Sequence, residues 1–355
     1  MPAELEQFQG TDGQVVTAFA FTGSRQDIWH RLGQSFDGRA MTAEQAMRES
    51  HMNRTIRVVP VTPPGDAQWA IPERYFIVLE GEMFLTEDGE PVVVPDKVVG
   101  EHGEGGADAH ANFTIHDRFL LAEEAIHASN GEAVWSTAGS LRDGTQGFAT
   151  MEAPPIVIDP NGINDVIRSY LTCAWSFDGS KATELGASHI RVVCANTMAA
   201  HDNAKQSVIK VKHTSHTASE RFAMAAAQWA MAQDEAKALK LAAERMLRVR
   251  DSKTVLNKII ETFEPAPPDS ASKRMKSMHE TRVNTIRTLA YASTNDVGDN
   301  GWAAWNTFVE YLDWESQVKC AKGETEMDRR LGNQFDGTYD ALKIKAADLV
   351  LSMAN

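Results

Sequence analysis

Between Asn53 and Val99 short apolar runs alternate with polar breaks, as in TIRVVPV and RYFIVLEGEMFLTEDGEPVVVPDKVVG, and this period of two predicts strands. Within it, FLTEDGEPVVV sets Asp88-Gly89 between two apolar runs, a hairpin signal because glycine reaches positive φ without steric cost. The first fifty residues show no such pattern. SRQDIWHRLGQSFDG reads as loop, followed by a short helix from Thr42, whose hydroxyl can cap AEQAMRES. GEHGEGGADAHA, residues 100–111, is glycine-rich but lacks the GK[ST] of a phosphate loop, so it reads as a surface loop. DRFLLAEEAIHA carries Phe119, Leu120 and Ile126 at helical spacing. AVWSTAGSLRDGTQGFATMEAPPIVI returns to strands around Asp143-Gly144, and SYLTCAWSF leads through Asp178-Gly179-Ser180 to a further strand, ASHIRVVCANT. In QSVIKVKH the alternation puts Lys210 and Lys212 on one side and Ile209 and Val211 on the other.

After Thr217 the period changes to that of a helix. TASERFAMAAAQWAMAQDEAKALKLAAERMLRVRD is rich in strong helix formers and opens on Thr/Ser capping candidates. At 100° per residue, Lys237, Lys240, Glu244 and Arg248 share one arc, opposite Leu239, Ala242, Met246 and Val249. EPAPPDSAS, residues 264–272, reads as a linker, because its prolines cannot continue the helix before it. Three helical stretches follow, and the aromatic crowd from Trp302 to Trp314 reads as packing. The expected fold is α+β: a curved antiparallel sheet crossed by helices, from about 53 to 215, then a mostly helical C-terminal part. The expected divisions are an N-terminal loop and helix segment (1–52), an α+β core with the basic strand and long helix (53–263), the linker (264–272) and a helical region (273–355). No βαβ alternation occurs, which excludes a doubly wound parallel sheet.

Composition alters this picture through charge. The chain has 355 residues, 43% hydrophobic and 24% charged, with a formal net charge of −14. Ala204 to Arg287 holds 16 Lys+Arg against 9 Asp+Glu, a net of +7, so the remainder carries −21. A basic centre in acidic surroundings points to a polyanion-facing surface, whereas the global charge argues against a nucleic-acid coat. No apolar run approaches the roughly 20 residues of a membrane helix, and MPAELEQFQGTDGQ lacks the apolar core of a secretory signal. No membrane partner and a cytoplasmic location are expected. The three cysteines, Cys173, Cys194 and Cys320, fit neither a disulfide framework nor paired zinc knuckles.

Three chemistries compete for the stretch around Cys194. A nucleophile would need an adjacent base, and His189, His201 and His213 are near in sequence, yet HIRVVCAN reads as a buried strand in which Cys194 is a small hydrophobe. His213 and His216, three residues apart, could join Cys194 or His189 in a zinc site, but neither HExxH nor HxE with PCxxC is present. No metal, cofactor or catalytic residue is therefore expected. The third reading is polyanion binding by Arg191, Lys205, Lys210, Lys212, His213, Lys237, Lys240, Arg245 and Arg248, whose cations would contact successive phosphates and release counterions. Trp175 and Phe177 could add stacking platforms for unpaired bases, or lie in the core.

IWHRLG, FTIHDRFLLAEEAI, STAGSLRDG, YLTCAWSFDGS, RVVCANTMAAHDNA, IKVKHTSH and GWAAWNTFVEYLDW, in that order, resemble the phage/plasmid-like proteins built on domain of unknown function 932. RVVCANT followed by KHT is the most specific part. The chain departs from the family's pattern at Ile28, where a proline usually precedes Trp-His, and at Phe177, where a histidine usually precedes Asp-Gly-Ser. The resemblance implies an accessory protein of phages or plasmids and carries over no catalytic residue. Together with the basic centre it leads to an expected non-enzymatic, homo-oligomeric protein that binds single-stranded DNA, such as an annealing or recombination factor. The alternative is an interaction protein whose acidic surface mimics DNA to inhibit or recruit a host protein.

Overall fold

The computed structural model describes residues 5–9, 15–23, 32–36, 41–62, 70–85, 89, 91–159, 162–188, 208–211, 217–319 and 338–354. These divide into two compact units. The first takes its residues from Met1–Pro154, Arg168–His201 and Lys205–Gln233, the second from Pro155–Ile167 and Asp234–Asn355.

The first unit is built on an open seven-stranded sheet of order β14-β13-β12-β11-β10-β3-β4. Its strands are β3 (Phe19–Thr22), β4 (Gln34–Phe36), β10 (Val134–Leu141), β11 (Gln146–Ile158), β12 (Asp165–Ser176), β13 (Glu184–Ser188) and β14 (Val208–Lys210). β10 pairs antiparallel with β11 and β3, and β13 pairs antiparallel with β12 and β14, whereas β3 and β4 run parallel. The sequence reading of the first fifty residues as mostly loop is corrected here. Besides β3 and β4, a hairpin of β1 (Gln7–Gln9) and β2 (Val15–Thr17) forms there. These strands are three or four residues long, and Phe19–Phe21 is buried throughout, so no period of two is visible.

The central strands are buried on both faces. Ala20, Ala138, Met151, Leu171 and Trp175 pack into one cluster, and their neighbours Phe19, Phe21, Phe148 and Ala174 into another, which is the alternation a pleated strand imposes. The first face is covered by α1 (Ala43–Glu49) and α3 (Ile115–Ala128), through Ala46, Met47, Phe119 and Ala122. Both helices start on a capping box, Thr42 with Gln45 and Thr114 with Asp117. β5 (Ile56–Pro60), β6 (Tyr75–Leu79) and β9 (Lys97–His102) make a second, antiparallel sheet. β7 (Glu82–Leu85) and β8 (Pro91–Val94) form the expected hairpin, with Gly89 at φ 84° in its turn.

The glycine-rich stretch is also a correction, since Glu104–Asn112 is a helix, α2, and not a loop. Packing outweighs the low intrinsic propensity of its glycines: Ala107 and His110 are buried, and the His110 ring lies 5.6 Å from Phe177.

The His51 ring stacks on Phe84 at 4.1 Å, and burial lowers its pKa from 6.5 to about 4, despite Glu49. Unfolded chains therefore bind the extra proton first. The stabilisation is complete above pH 6.5 and is lost as pH falls from there to about 4, by up to about 3 kcal/mol. His51 has φ 52°, a conformation asparagine tolerates, so His51→Asn should fold and show a flatter pH dependence between 7 and 4.5, as read by urea unfolding. An unchanged slope would exclude His51 as its source.

The second unit is mostly helical: α4 (Ala218–Arg248), which starts in the first unit, α5 (Ser252–Phe263), α6 (Lys273–Val297), α7 (Gly301–Glu310) continued by a π-helical turn (Tyr311–Glu315), and α8 (Thr338–Ser352). Trp302, Phe308, Tyr311 and Leu312 are buried in its core with Ile259, Ile286 and Val350, as the aromatic crowding predicted. The linker stretch joins α5 to α6. Glu264 closes α5 and Ser272 caps α6, and the Glu264 carboxylate holds Arg282 at 2.9 Å and accepts the Tyr311 hydroxyl at 3.3 Å. Burial and that carboxylate push the Tyr311 pKa up.

Candidate nucleic-acid interface

α4 forms because its sequence is alanine-rich and its start is closed by a reciprocal cap. Thr217 Oγ1 accepts from the Glu220 N–H at 3.2 Å, and the Glu220 carboxylate accepts from the Thr217 N–H at 3.2 Å. In its second-unit half, Ala243, Met246 and Val249 face the core at 0%, 2% and 8% exposure, leaving the opposite face to solvent. Lys237, Lys240, Arg245 and Arg248 are all exposed there. At 100° per residue they span about 140° of the circumference and, at 1.5 Å per residue, about 16 Å of axis.

Their charge is only partly answered among the described residues. Lys237 pairs with Asp234 at 3.3 Å, but both side chains are at least 70% exposed, and such a pair contributes little. Lys240, Arg245 and Arg248 make no ion pair among the described residues, although Glu244 shares their arc. Arg250, also exposed, extends the series beyond the helix end through its bridge to Asn300. Arg250 was missed as a site residue, although it lies in the basic stretch. The next carboxylate, Asp251, is engaged as a cap: it accepts from the Thr254 N–H and hydroxyl, which hold its pKa below the usual value. Arg245 and Arg248 also complement the negative end of the helix dipole, a structural role that requires no ligand.

Lys210 belongs to the first unit. It is exposed on β14, the last strand in the sheet order, where it stands opposite Glu184 in the ladder. Ile209 is half-buried and Val211 buried, following the alternation expected for this strand. Arg191, Lys205, Lys212 and His213 lie outside the described residues, as do Cys194, His216 and Cys320. Lys210 belongs to the first unit, and Lys237, Lys240, Arg245 and Arg248 to the second.

The aromatic platforms are overturned. Trp175 and Phe177 are 0% exposed and cannot stack on a base. With Phe113 they instead surround the Arg118 guanidinium, with ring centroids 5.2–5.8 Å away. Arg118 Nε donates to Thr183 Oγ1 at 3.2 Å and Nη2 to His110 Nδ1 at 3.3 Å, while Nη1 has no hydrogen-bond partner among the described residues. Burial lowers its pKa to about 10, so it stays charged at neutral pH. This cation is 0% exposed and serves the core rather than a strand. Cys173 beside it is also buried, which pushes its thiol to about 12, far from thiolate reactivity. Among the described residues no group of three or more His, Cys, Asp or Glu is placed to hold a metal ion.

Fold and surface thus define an α+β protein with an open, antiparallel-rich sheet and a helical C-terminal part that carries an exposed basic helix face. The family model described as Domain of unknown function (DUF932) matches residues 118–332, more than half of the chain, and the chain belongs to that family. No curated protein and no solved structure matches it. No helix of the described residues is long and apolar enough to cross a membrane.

Proposed function

We propose that this protein binds single-stranded DNA electrostatically, as a non-enzymatic accessory factor of phage or plasmid DNA metabolism acting in the host cytoplasm. The observation that supports the reading best is the exposed face of α4, where Lys240, Arg245 and Arg248 have no ion-pair partner among the described residues, in a chain of net charge −14. Cations in that setting hold phosphates while leaving bases free to pair, which is the requirement of an annealing factor. Self-association would repeat the face along a strand, and the acidic remainder would limit nonspecific adhesion.

Fluorescence anisotropy with a labelled oligo(dT) tests this. Affinity should fall steeply with salt, and a triple Lys240→Ala, Arg245→Ala, Arg248→Ala variant should reduce the slope of log K against log salt by about 2. These side chains are exposed, so the variant should stay folded, losing about 1 kcal/mol from the helix-dipole contacts of Arg245 and Arg248. Absence of binding at about 50 mM salt, or binding indifferent to salt, would dispose of the proposal.

A second reading, a protein that engages a host factor, is favoured by the β7–β8 hairpin. Phe84 and Val92 pack on Phe8 and Ala18, while Met83 and Val93, paired across the strands, are 68% and 62% exposed beside Leu85 at 66%. An apolar sheet face of this kind suits a protein partner. That reading requires a stoichiometric host protein in a pull-down and no oligonucleotide binding.

A further inference from the structure

The second unit contains a cleft of about 640 Å³ between α5, α6 and α7, within the range of small-ligand sites. Its apolar parts come from Leu256 and Ala304, at 4% and 1% exposure, with the buried Thr307 beside them. Its polar parts come from helical spacing: Lys253 and Asn257 lie four apart on α5, and Arg287, Tyr291 and Asn295 four apart on α6. None of its lining residues among those described is a carboxylate, in a chain with 49 acidic residues. Two acids beside it in the chain are otherwise engaged, Asp251 by Thr254 and Asp299 by the Ser252 N–H at 2.7 Å and its hydroxyl. Neither Arg287 nor Lys253 makes an ion pair among the described residues. The Tyr291 ring is 77% exposed and makes no ring contact among the described residues, so one of its faces is open to a planar ligand.

We propose that this cleft binds one nucleotide, with the base stacked on Tyr291 and hydrogen-bonded by Asn257 and Asn295 and the phosphate held by Lys253 and Arg287. Each feature supplies one part of that recognition: two cations for a phosphate, carboxamides that both donate and accept for a base edge, and an aromatic ring for its face. Inorganic phosphate alone would leave the ring and the amides unused. The inference stands on the cleft and not on the α4 face, and a free nucleotide and a nucleotide within a strand offer it the same chemistry.

Equilibrium dialysis of the full chain with thymidine 5′-monophosphate tests it, with inorganic phosphate in parallel and oligo(dT) binding measured separately. The mononucleotide should bind more tightly than phosphate, Tyr291→Ala should weaken it about tenfold, and Tyr291→Phe, which keeps the ring, should restore it. Lys253→Ala with Arg287→Ala should abolish it. All these side chains are exposed, so the variants should fold. If the mononucleotide competes with oligo(dT), the source is a strand; if it binds without competing, the source is a free nucleotide, and either supports the site. No mononucleotide binding, or binding that Tyr291→Ala leaves intact, overturns the proposal even if oligo(dT) still binds through α4. The triple α4 variant tests that other surface separately.

Discussion

Replacing Arg54 by alanine is expected to cost about 3–5 kcal/mol, because it leaves a buried carboxylate without its main counter-charge. Arg54 and Glu6 meet at 3.4 Å with side chains 2% and 4% exposed. The guanidinium also donates to the carbonyls of Glu80 at 3.0 Å, Leu79 at 3.2 Å and Pro95 at 3.0 Å. One side chain therefore joins the N-terminal segment to the ends of β6 and β8. Glu6 would keep the Ser140 hydroxyl at 2.7 Å and Lys97 at 3.8 Å, which is too little for a desolvated charge. Burial already lowers the Arg54 pKa, against the raising influence of Glu6, Glu82 and Asp96, so this ion pair operates under desolvation rather than in solvent. Urea unfolding should show the loss. Arg54→Met combined with Glu6→Gln should cost less than the two single changes summed, since neither charge is then stranded. Strict additivity would mean that the pair does not act as a unit.

Gly100→Ala is expected to lose about 3 kcal/mol, and for a different reason. A Cβ on Gly100 would lie 1.9 Å from the Phe177 carbonyl oxygen and 2.7 Å from its carbon. Both are backbone atoms, so no rotamer change relieves the overlap, and β9 would have to move from the Phe177–Asp178 segment. That approach is used: His102 Nε2 lies 2.6 Å from the same carbonyl. Gly105→Ala is the control. Nothing lies within 4 Å of its added Cβ and the position is helical, so it should gain about 0.5–1 kcal/mol. Equal melting temperatures for the two variants would contradict the close approach.

Legibility followed the range of the interaction involved. The Thr42 and Thr217 helix starts, the Asp143-Gly144 turn and the two faces of α4 depend on residues within one or two turns of each other, and the chain order displays them. β3 and α2 were misread because long-range burial, not local propensity, makes them: Phe19–Phe21 is held between two cores, and α2 by what packs on Ala107 and His110. Trp175 and Phe177 were open to either reading, since an aromatic beside a basic stretch looks the same whether it faces solvent or a guanidinium.

The chain by itself determined the α+β class, the helical C-terminal part, the family and the solvent-facing cations of α4, because period, capping and composition act locally. Tertiary structure alone decided which charges are enclosed, as with Arg54, Glu6 and Arg118, and which residues far apart in sequence, such as Lys253, Tyr291 and Ala304, share a cleft. The physical reason is desolvation: what a charge or a ring can bind depends on what has been packed against it, and that packing is done by residues tens to hundreds of positions away.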